Sequence, residues 1–587
     1  MDPLFGPRLQ AQGTRFRLYA PSLEAAQLVL DGRQPIDMQR GDTGFWTVFA
    51  PGVGDGTRYR FRVNGRDVPD VASRRQQTDS AGWSLVRAPL PPPPEAAPRP
   101  FHEAVICEVH VGTVSPEGTF AGLMHRLEHF RDAGYTAIEL MPVNSFPGTR
   151  NWGYDGTLLF APAPAYGTPE DLRALVDRAH ALGLCMLLDV VYNHFGDIDN
   201  FLPHYAPEFF ADGVETPWGA AINFDDAQVR RFYVENALMW LTEYGFDGLR
   251  FDAVHEIRTA SRQTFLDELA EACRATRPEA RLLLENRDNI ASLLARDDND
   301  LPRLFTAQWN DDLHHALHYL VTGEAHYGYG PGGADAWADL EKALRDGFAH
   351  DGEAGPHSDG RTGGEPASQL PPDAFVGFVQ NHDQIGNRAD ARRLADRISA
   401  RKLDFLHFLV MLSPNLPMFF MGEEAHLRST FPYFFDLDDA DAAPRRDGRY
   451  EQMESAFDET VEPGQLPDPN DPATMAMARL AWADYADPQR QAALDRFREL
   501  ASLRRRLVWP LLATRCLQAQ SFRQGPAMVI TWSFKAGWLT LVLNASDQMH
   551  SIDCRLAGDA VSTGTFEIEG ERLGLDGWSA LAWMVPR

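Results

Sequence analysis

Residues 168–191 read TPEDLRALVDRAHALGLCMLLDVV. Thr168 can cap a helix, Pro169 suits its first position and Asp171 its third. That helix stops at Gly183. Residues 184–191 then form a continuous apolar run broken only by Asp189, which predicts a strand buried on both faces. The same unit recurs on either side. Toward the amino terminus, residues 104–110 and 136–143 are apolar strands. Between them Leu123, Leu127 and Phe130 fall at helical spacing on a segment that stops at Gly134. Toward the carboxyl terminus, Val234, Leu238 and Leu241 mark a helix before the strand 248–252. Phe265, Leu269 and Ala272 mark another before the strand 282–285. Further strands read at 305–309, 374–381 and 417–422. Eight strands alternating with helices predict an all-parallel sheet with right-handed crossovers, closed as an α/β (β/α)8 TIM barrel. An open doubly wound sheet is the alternative, but no Gly-rich phosphate loop follows the first strand.

The flanks read differently. Short alternating strands at 14–19, 28–30, 46–49 and 59–63, separated by Gly, Asp and Pro, predict a small β-sandwich over 1–90. A Pro-rich linker follows at 91–100, then the barrel at 101–508. Residues 527–534 and 538–543 return to β signals, predicting a second sandwich over 509–587. Two long segments interrupt the barrel: the aromatic, Asp- and Pro-rich 195–224, and the Gly-, Asp- and Pro-rich 350–373. Loops of this length are functional or disordered more often than they are filler.

Composition narrows the partners. The chain has 587 residues and a net charge of −28, with 44% apolar residues. This suits a globular protein with a large core and argues against nucleic acid, whose phosphates need clustered Lys and Arg. No apolar run is long enough to span a membrane, and the start shows no basic-then-apolar leader. Five cysteines at wide spacing, Cys107, Cys185, Cys273, Cys516 and Cys554, read as free thiols in a reducing cytoplasm. None forms a metal-ligand pair. A monomer is expected.

In a barrel the active site lies at the carboxyl ends of the strands. Acids crowd there: Asp189, Asp252, Glu285 and Asp383 each close a strand. One such Asp is ordinarily a helix cap, and a lone His194, His255 or His382 is ordinarily structural. Several at one barrel mouth repel each other, a cost that points to chemistry. Two carboxylates with a cation suit glycoside hydrolysis, in which one attacks or stabilises the anomeric carbon and the other protonates the leaving oxygen. Asp252 reads as the nucleophile, because Arg250 shares its strand face and keeps it ionised. Glu285 reads as the acid, having no basic residue immediately before it.

These stretches resemble the α-amylase family. Asp189-Val-Val-Tyr-Asn-His194, Gly248-Leu-Arg-Phe-Asp-Ala-Val-His255, Glu285 and Gln380-Asn-His-Asp383 are similar to its four signature regions, in order. The resemblance implies retention, with Asp252 as nucleophile, Glu285 as acid/base and Asp383 as the third carboxylate. It implies that Arg250, His194 and His382 contact the −1 sugar and that Asp189 supports them. Glu108-Val-His-Val-Gly-Thr113, Glu139-Leu-Met-Pro-Val143 and Phe146-Pro-Gly-Thr-Arg-Asn-Trp-Gly-Tyr-Asp155 resemble branching enzymes and their relatives. Residues 308–315 and 217–224 resemble the family's trehalose-releasing branch. That implies hydrolysis of the α-1,4 bond joining trehalose to a maltooligosaccharide in maltooligosyltrehalose. A branching or debranching enzyme is the alternative, and a non-catalytic sugar-binding protein a third reading. In 387–394 the pattern departs from the family, which would place a Gly near Ala391.

Trp152, Tyr154, Trp218 and Trp309 lie in loops or at strand ends, where sugar rings can stack; packing in the core is the alternative for each Trp. Tyr154 matches the family's −1 platform, and Asp155 and His255 join it as sugar-contact candidates. Asp311 and Asp312 either bond a sugar or cap a helix. No Asp-rich loop supports a calcium site near Asn193, so no cofactor or metal is expected.

Overall fold

Eight strands close into one parallel barrel: β1 (Ile106–Val109), β2 (Ala137–Leu140), β3 (Cys185–Val190), β4 (Gly248–Phe251), β5 (Arg281–Leu284), β6 (Ala307–Trp309), β7 (Phe375–Gly377) and β8 (Leu416–Phe420). The computed structural model describes residues 4–94, 99–325, 335–352, 363–457 and 466–587. Part of the expected linker, 95–98, and the centre of the 350–373 loop, 353–362, lie outside the described residues. Each strand pairs with its neighbour in sequence, and β8 closes on β1 with Ile106 beside Met418. All eight strands match those read from the sequence, although several are shorter.

The period of two along each strand decides what faces the barrel axis. Ile106, Ala137, Leu187, Leu283, Ala307, Trp309, Val376 and Met418 form the apolar plug inside. Cys107, Ile138, Leu188, Leu249 and Leu284 lie on the opposite parity and join the outer core under the helices. Two residues on from the plug, the same inward parity reaches Glu108, Glu139, Asp189 and Glu285. On β4 it carries Arg250 and then Asp252. Register keeps them level, with Glu108 beside Glu139 and Asp189 beside Arg250.

The βα segments shape the mouth. Thr168 and Asp171 form a capping box at the start of Pro169–Ala181, as their spacing predicts. The expected helix through Leu123 and Phe130 is instead two, Phe120–Met124 and Leu127–Ala133, interrupted where the His125 N–H bonds both the Ala121 and Leu123 carbonyls. Segment 195–224 is more ordered than a loop: a hairpin, Phe210–Thr216 and Gly219–Ile222, carries Trp218 in its turn. After β8, helix Asp439–Phe457 leans over the mouth; with Pro444 inside and no clear apolar stripe, it escapes a reading by periodicity.

Two β-sandwiches flank the barrel. In the amino-terminal one, sheets built on Gly13–Tyr19 with Phe45–Pro51 and on Ala26–Leu30 with Arg58–Val63 enclose Phe16, Leu18, Leu28, Tyr59 and Phe61. In the carboxyl-terminal one, a five-stranded and a three-stranded sheet pack Val542, Leu581 and Trp583 on Ile552, Leu573 and Leu575. The amino-terminal module grips the segment after β3. Asn64 donates to the His204 carbonyl at 2.9 Å, Ser80 donates to Asp199 at 2.8 Å, and Arg66 covers Phe201 at 4.8 Å. Among the described residues, no helix is long and apolar enough to cross a membrane.

Ala391 explains the departure noted after β7. Its φ is +49°, in the left-handed region, and its carbonyl accepts from the Phe431 N–H at 3.2 Å. A Cβ in that region costs about 1–2 kcal/mol, against which glycine gives back about 0.5–1 kcal/mol in chain entropy. Ala391→Gly is therefore expected to hold or raise the thermal midpoint. A fall of several degrees in calorimetry would show that the buried methyl matters more than the strain.

Candidate active site

Arg250 is the centre of the barrel mouth. It is fully buried and inward by parity, and its fork reaches three carboxylates. Nη1 donates to Asp189 Oδ2 at 2.6 Å and to Asp252 Oδ1 at 2.7 Å, while Nη2 donates to Glu285 Oε2 at 2.6 Å. Its guanidinium lies 3.9 Å from the centroid of the Trp309 ring. Only a planar, permanently charged fork can serve several carboxylates at once in a dry site. Asp252 also accepts from Asn193 Nδ2 at 2.8 Å, so both its oxygens are held. Glu285 Oε2 also accepts from the Ala253 N–H at 3.0 Å. Ala253 makes that turn at φ +38°, a strained conformation directly after Asp252.

The charges correct one expectation. Glu285 lies near more cations than Asp252 does, because Arg287 faces it as well as Arg250. Burial would raise Glu285, but Arg250, His255, Arg287 and the Ala253 N–H outweigh it and hold the carboxyl at about 2. Burial, with Glu285 and Asp189 opposite, pushes Asp252 up to about 8 against Arg250 and Asn193. Two carboxyls this close titrate as a pair. Their mutual repulsion favours keeping a proton on the pair.

Around the pair lies a cavity of about 760 Å³, walled by Tyr154, Asp155, His194, Trp218, His255 and Asp383 among others. Gly153, at φ +110°, makes the sharp turn that presents Tyr154; a Cβ there would sit 2.3 Å from the Pro142 carbonyl oxygen. The Tyr154 hydroxyl donates to Asp189 Oδ2 at 2.8 Å, and its ring stacks on His382 at 5.0 Å. Asp383 accepts from Asn387 Nδ2 at 3.0 Å. His194 is driven neutral by burial, down to about 4, and stacks on Trp218 at 4.8 Å. Trp218 is 45% exposed, an apolar face left open at the mouth. Asp155 accepts from Arg445 Nη1 at 2.7 Å, and Arg445 also pairs with Asp197, so the helix after β8 is tied to two other loops.

Not every candidate reaches the cavity. Trp309 is buried beneath Arg250 and packs on it rather than lining the wall. Trp152 touches the cavity but is 3% exposed, stacked on Phe431 and donating to the Pro432 carbonyl. Asp312 is spent on backbone and amide: its Oδ2 accepts from Asn289 Nδ2 and from the Ala349 and His350 N–H groups. The cap of helix Asp311–Thr322 is Asn310, not either acid. Asp311 stays off the wall too; burial first, then Glu285, Asp312 and Asp383, push it up to about 7. Asn193, the residue nearest the imagined calcium site, has its amide committed to Asp252. Among the described residues no cluster of three or more His, Cys, Asp or Glu is arranged to hold a metal.

Among the wall residues that sequence reasoning missed are Arg287, Tyr433, Arg445 and Arg449. Arg287 was open to it, two positions beyond Glu285 near a strand end. The others come from segments after β8 that carry no strand or motif signal.

Comparison with known proteins agrees with this fold. Residues 69–208 match the family model for the alpha amylase catalytic domain, and residues 4–80 match carbohydrate-binding module 48, the isoamylase N-terminal domain. The malto-oligosyltrehalose trehalohydrolase of Saccharolobus solfataricus is 36% identical over 81% of this chain and 83% of that protein. That of Brevibacterium helvolum is 33% identical over 96% of this chain and 98% of that protein. The chain belongs to the malto-oligosyltrehalose trehalohydrolase family. It is thus a glycoside hydrolase of the alpha-amylase type. A Salmonella typhimurium crystal structure described as an alpha amylase shares the architecture of this family member, with a TM-score of 0.92 at 37% identity and 99% coverage of both chains.

Arg250→Gln removes the cation that three acids share. Without it Asp252 and Glu285 both rise, so the variant is expected to bind at least one more proton than the parent at pH 7. Difference titration measures this; equal proton counts would show that Arg250 does not set the charge of the site.

Proposed function

We propose that this hydrolase cleaves the α-1,4 bond joining trehalose to a maltooligosaccharide, releasing trehalose with retention at the anomeric carbon. In this reading Asp252 is the nucleophile, Glu285 the acid/base and Asp383 the third carboxylate, which grips sugar hydroxyls. The single observation that carries it is Arg250 bonding Asp252 and Glu285 with its two terminal nitrogens, so that both acids edge one cavity. The names and near-full coverage of the relatives supply the substrate.

The step runs as follows. Glu285 gives its proton to the glycosidic oxygen as Asp252 bonds the anomeric carbon, and trehalose leaves. Glu285 then takes a proton from water, whose oxygen displaces Asp252. Two hydrogen bonds aim the Asp252 oxygens, while Glu285 has only Oε2 tied, which leaves its other oxygen to carry the proton. Reaction requires the pair's proton on Glu285 and Asp252 ionised. Tyr154, His194, His255, His382 and Trp218 meet the sugar rings; Asp155 shapes the wall beside them. We take the enzyme to act as a cytoplasmic monomer on this soluble glucan, with no nucleic acid partner; its five cysteines are unpaired.

Incubation with maltooligosyltrehalose should yield free trehalose, and the new reducing end should appear first as the α anomer by NMR. New α-1,6 branches from amylopectin without trehalose would instead favour a branching enzyme. Glu285→Ala should lose about 10²–10⁴-fold in rate. Azide should then give the α-glycosyl azide, by attack on the Asp252-bound sugar. With Asp252→Ala, azide should give the β product; the reverse pattern would exchange the two roles. In the parent, activity should fall as pH rises through about 8, where the pair loses the proton the acid step needs. A rate profile flat to pH 10 would contradict a shared proton.

A further inference from the structure

Glu108 is a buried acid that the reaction above leaves unused. It lies on β1, 1% exposed, facing the barrel axis. Its Oε2 accepts from the His382 backbone N–H at 3.0 Å, and its Oε1 meets His382 Nδ1 at 2.5 Å. Two bonds from one residue to one carboxylate fix both the chain after β7 and the rotation of the ring. On the far side of the ring, Nε2 faces Asp383 Oδ1 at 3.4 Å. The imidazole therefore spans two carboxylates. With Nδ1–H committed to Glu108, Nε2 either carries a second proton toward Asp383 or turns a lone pair on a carboxylate, which repels it.

We propose that Glu108 is a positioning residue: it holds His382 as an imidazolium whose Nε2–H steadies the Asp383 carboxylate at the cavity. This rests on the reading of Asp383 as the third carboxylate. The surroundings agree on every side. Burial alone would lower His382, but Asp383 and Glu108 outweigh it and lift the ring to about 9, against Arg250 on β4. Glu139 on β2 is raised by burial well above the carboxylate range, so it faces the ring as a neutral acid. Asp189 on β3 shares its charge with Arg250. His110, after β1, is kept neutral by burial at about 4. The Tyr154 ring that stacks on His382 is uncharged, its hydroxyl raised by burial and by Asp189.

Side-chain nitrogen NMR of the histidine-labelled enzyme, with His382 assigned through His382→Asn, tests this directly. The parent ring should carry protons on both nitrogens at pH 8. In Glu108→Gln it should be neutral there. A histidine near its ordinary value of about 6.5 is only about 3% charged at pH 8, so the variant should lose about 30-fold in kcat relative to the parent. That loss should largely disappear at pH 6, where the ring recharges; a merely structural defect would not recover with pH. Glu108→Asp, which keeps the charge, should restore much of the rate at pH 8. A parent ring titrating near 6.5, or a ring still charged at pH 8 in Glu108→Gln, overturns the proposal. The parent titration decides even if the variant fails to fold. A neutral ring with an unchanged rate would overturn the link to Asp383 while leaving the roles of Asp252 and Glu285 untouched.

Discussion

One guanidinium answers to three acids at the bottom of this cavity. Arg250 bonds Asp189, Asp252 and Glu285 while fully buried. Bringing a charge out of water costs several kcal/mol even after relaxation, and a lone ion here could not persist. The acids make the arginine tolerable, and the arginine makes the acids tolerable to each other. Arg250 offsets the repulsion among the three carboxylates, while burial and Glu285 still push Asp252 upward. The protonation of Asp252 and Glu285 is thus set by the same charges that hold the mouth of the barrel together.

The barrel supplies this arrangement through parity alone. Apolar side chains fill the lower layer, and the next inward position on four neighbouring strands is polar: Glu108, Glu139, Asp189 and Arg250. None needs a special loop to reach the axis. What the loops add is selectivity of shape: Tyr154 on its glycine turn, Trp218 on a hairpin, Arg445 on a helix. Rigid strands hold the charges, and longer segments shape the walls.

That division also explains what a reader of the sequence can recover. Eight apolar runs separated by capped helices are periodic signals, and they locate every barrel strand. Acids at strand ends follow for Asp252 and Glu285, and Asp383, in the short helix His382–Gly386 after β7, is legible from the same reading. Electrostatic detail is not, because it depends on neighbours across the barrel. Glu285 follows an apolar strand end yet meets Arg287, His255 and Arg250 in space. Trp309 and Asp312 fail as wall residues for a related reason: strand-end position says that a side chain is near the mouth, not whether it points up or is spent on packing. The helix bearing Arg445 carries neither an apolar stripe nor a motif, so nothing in its composition announces it.

The amino-terminal module grips the segment after β3 through Asn64, Arg66 and Ser80, and that segment bears the hairpin with Trp218. A long excursion from the barrel is thereby pinned from outside it, so part of the entropy of ordering the entrance is met by a sandwich with no side chain on the cavity wall. Substitutions in that module can therefore reshape the doorway without touching the acids at the barrel mouth.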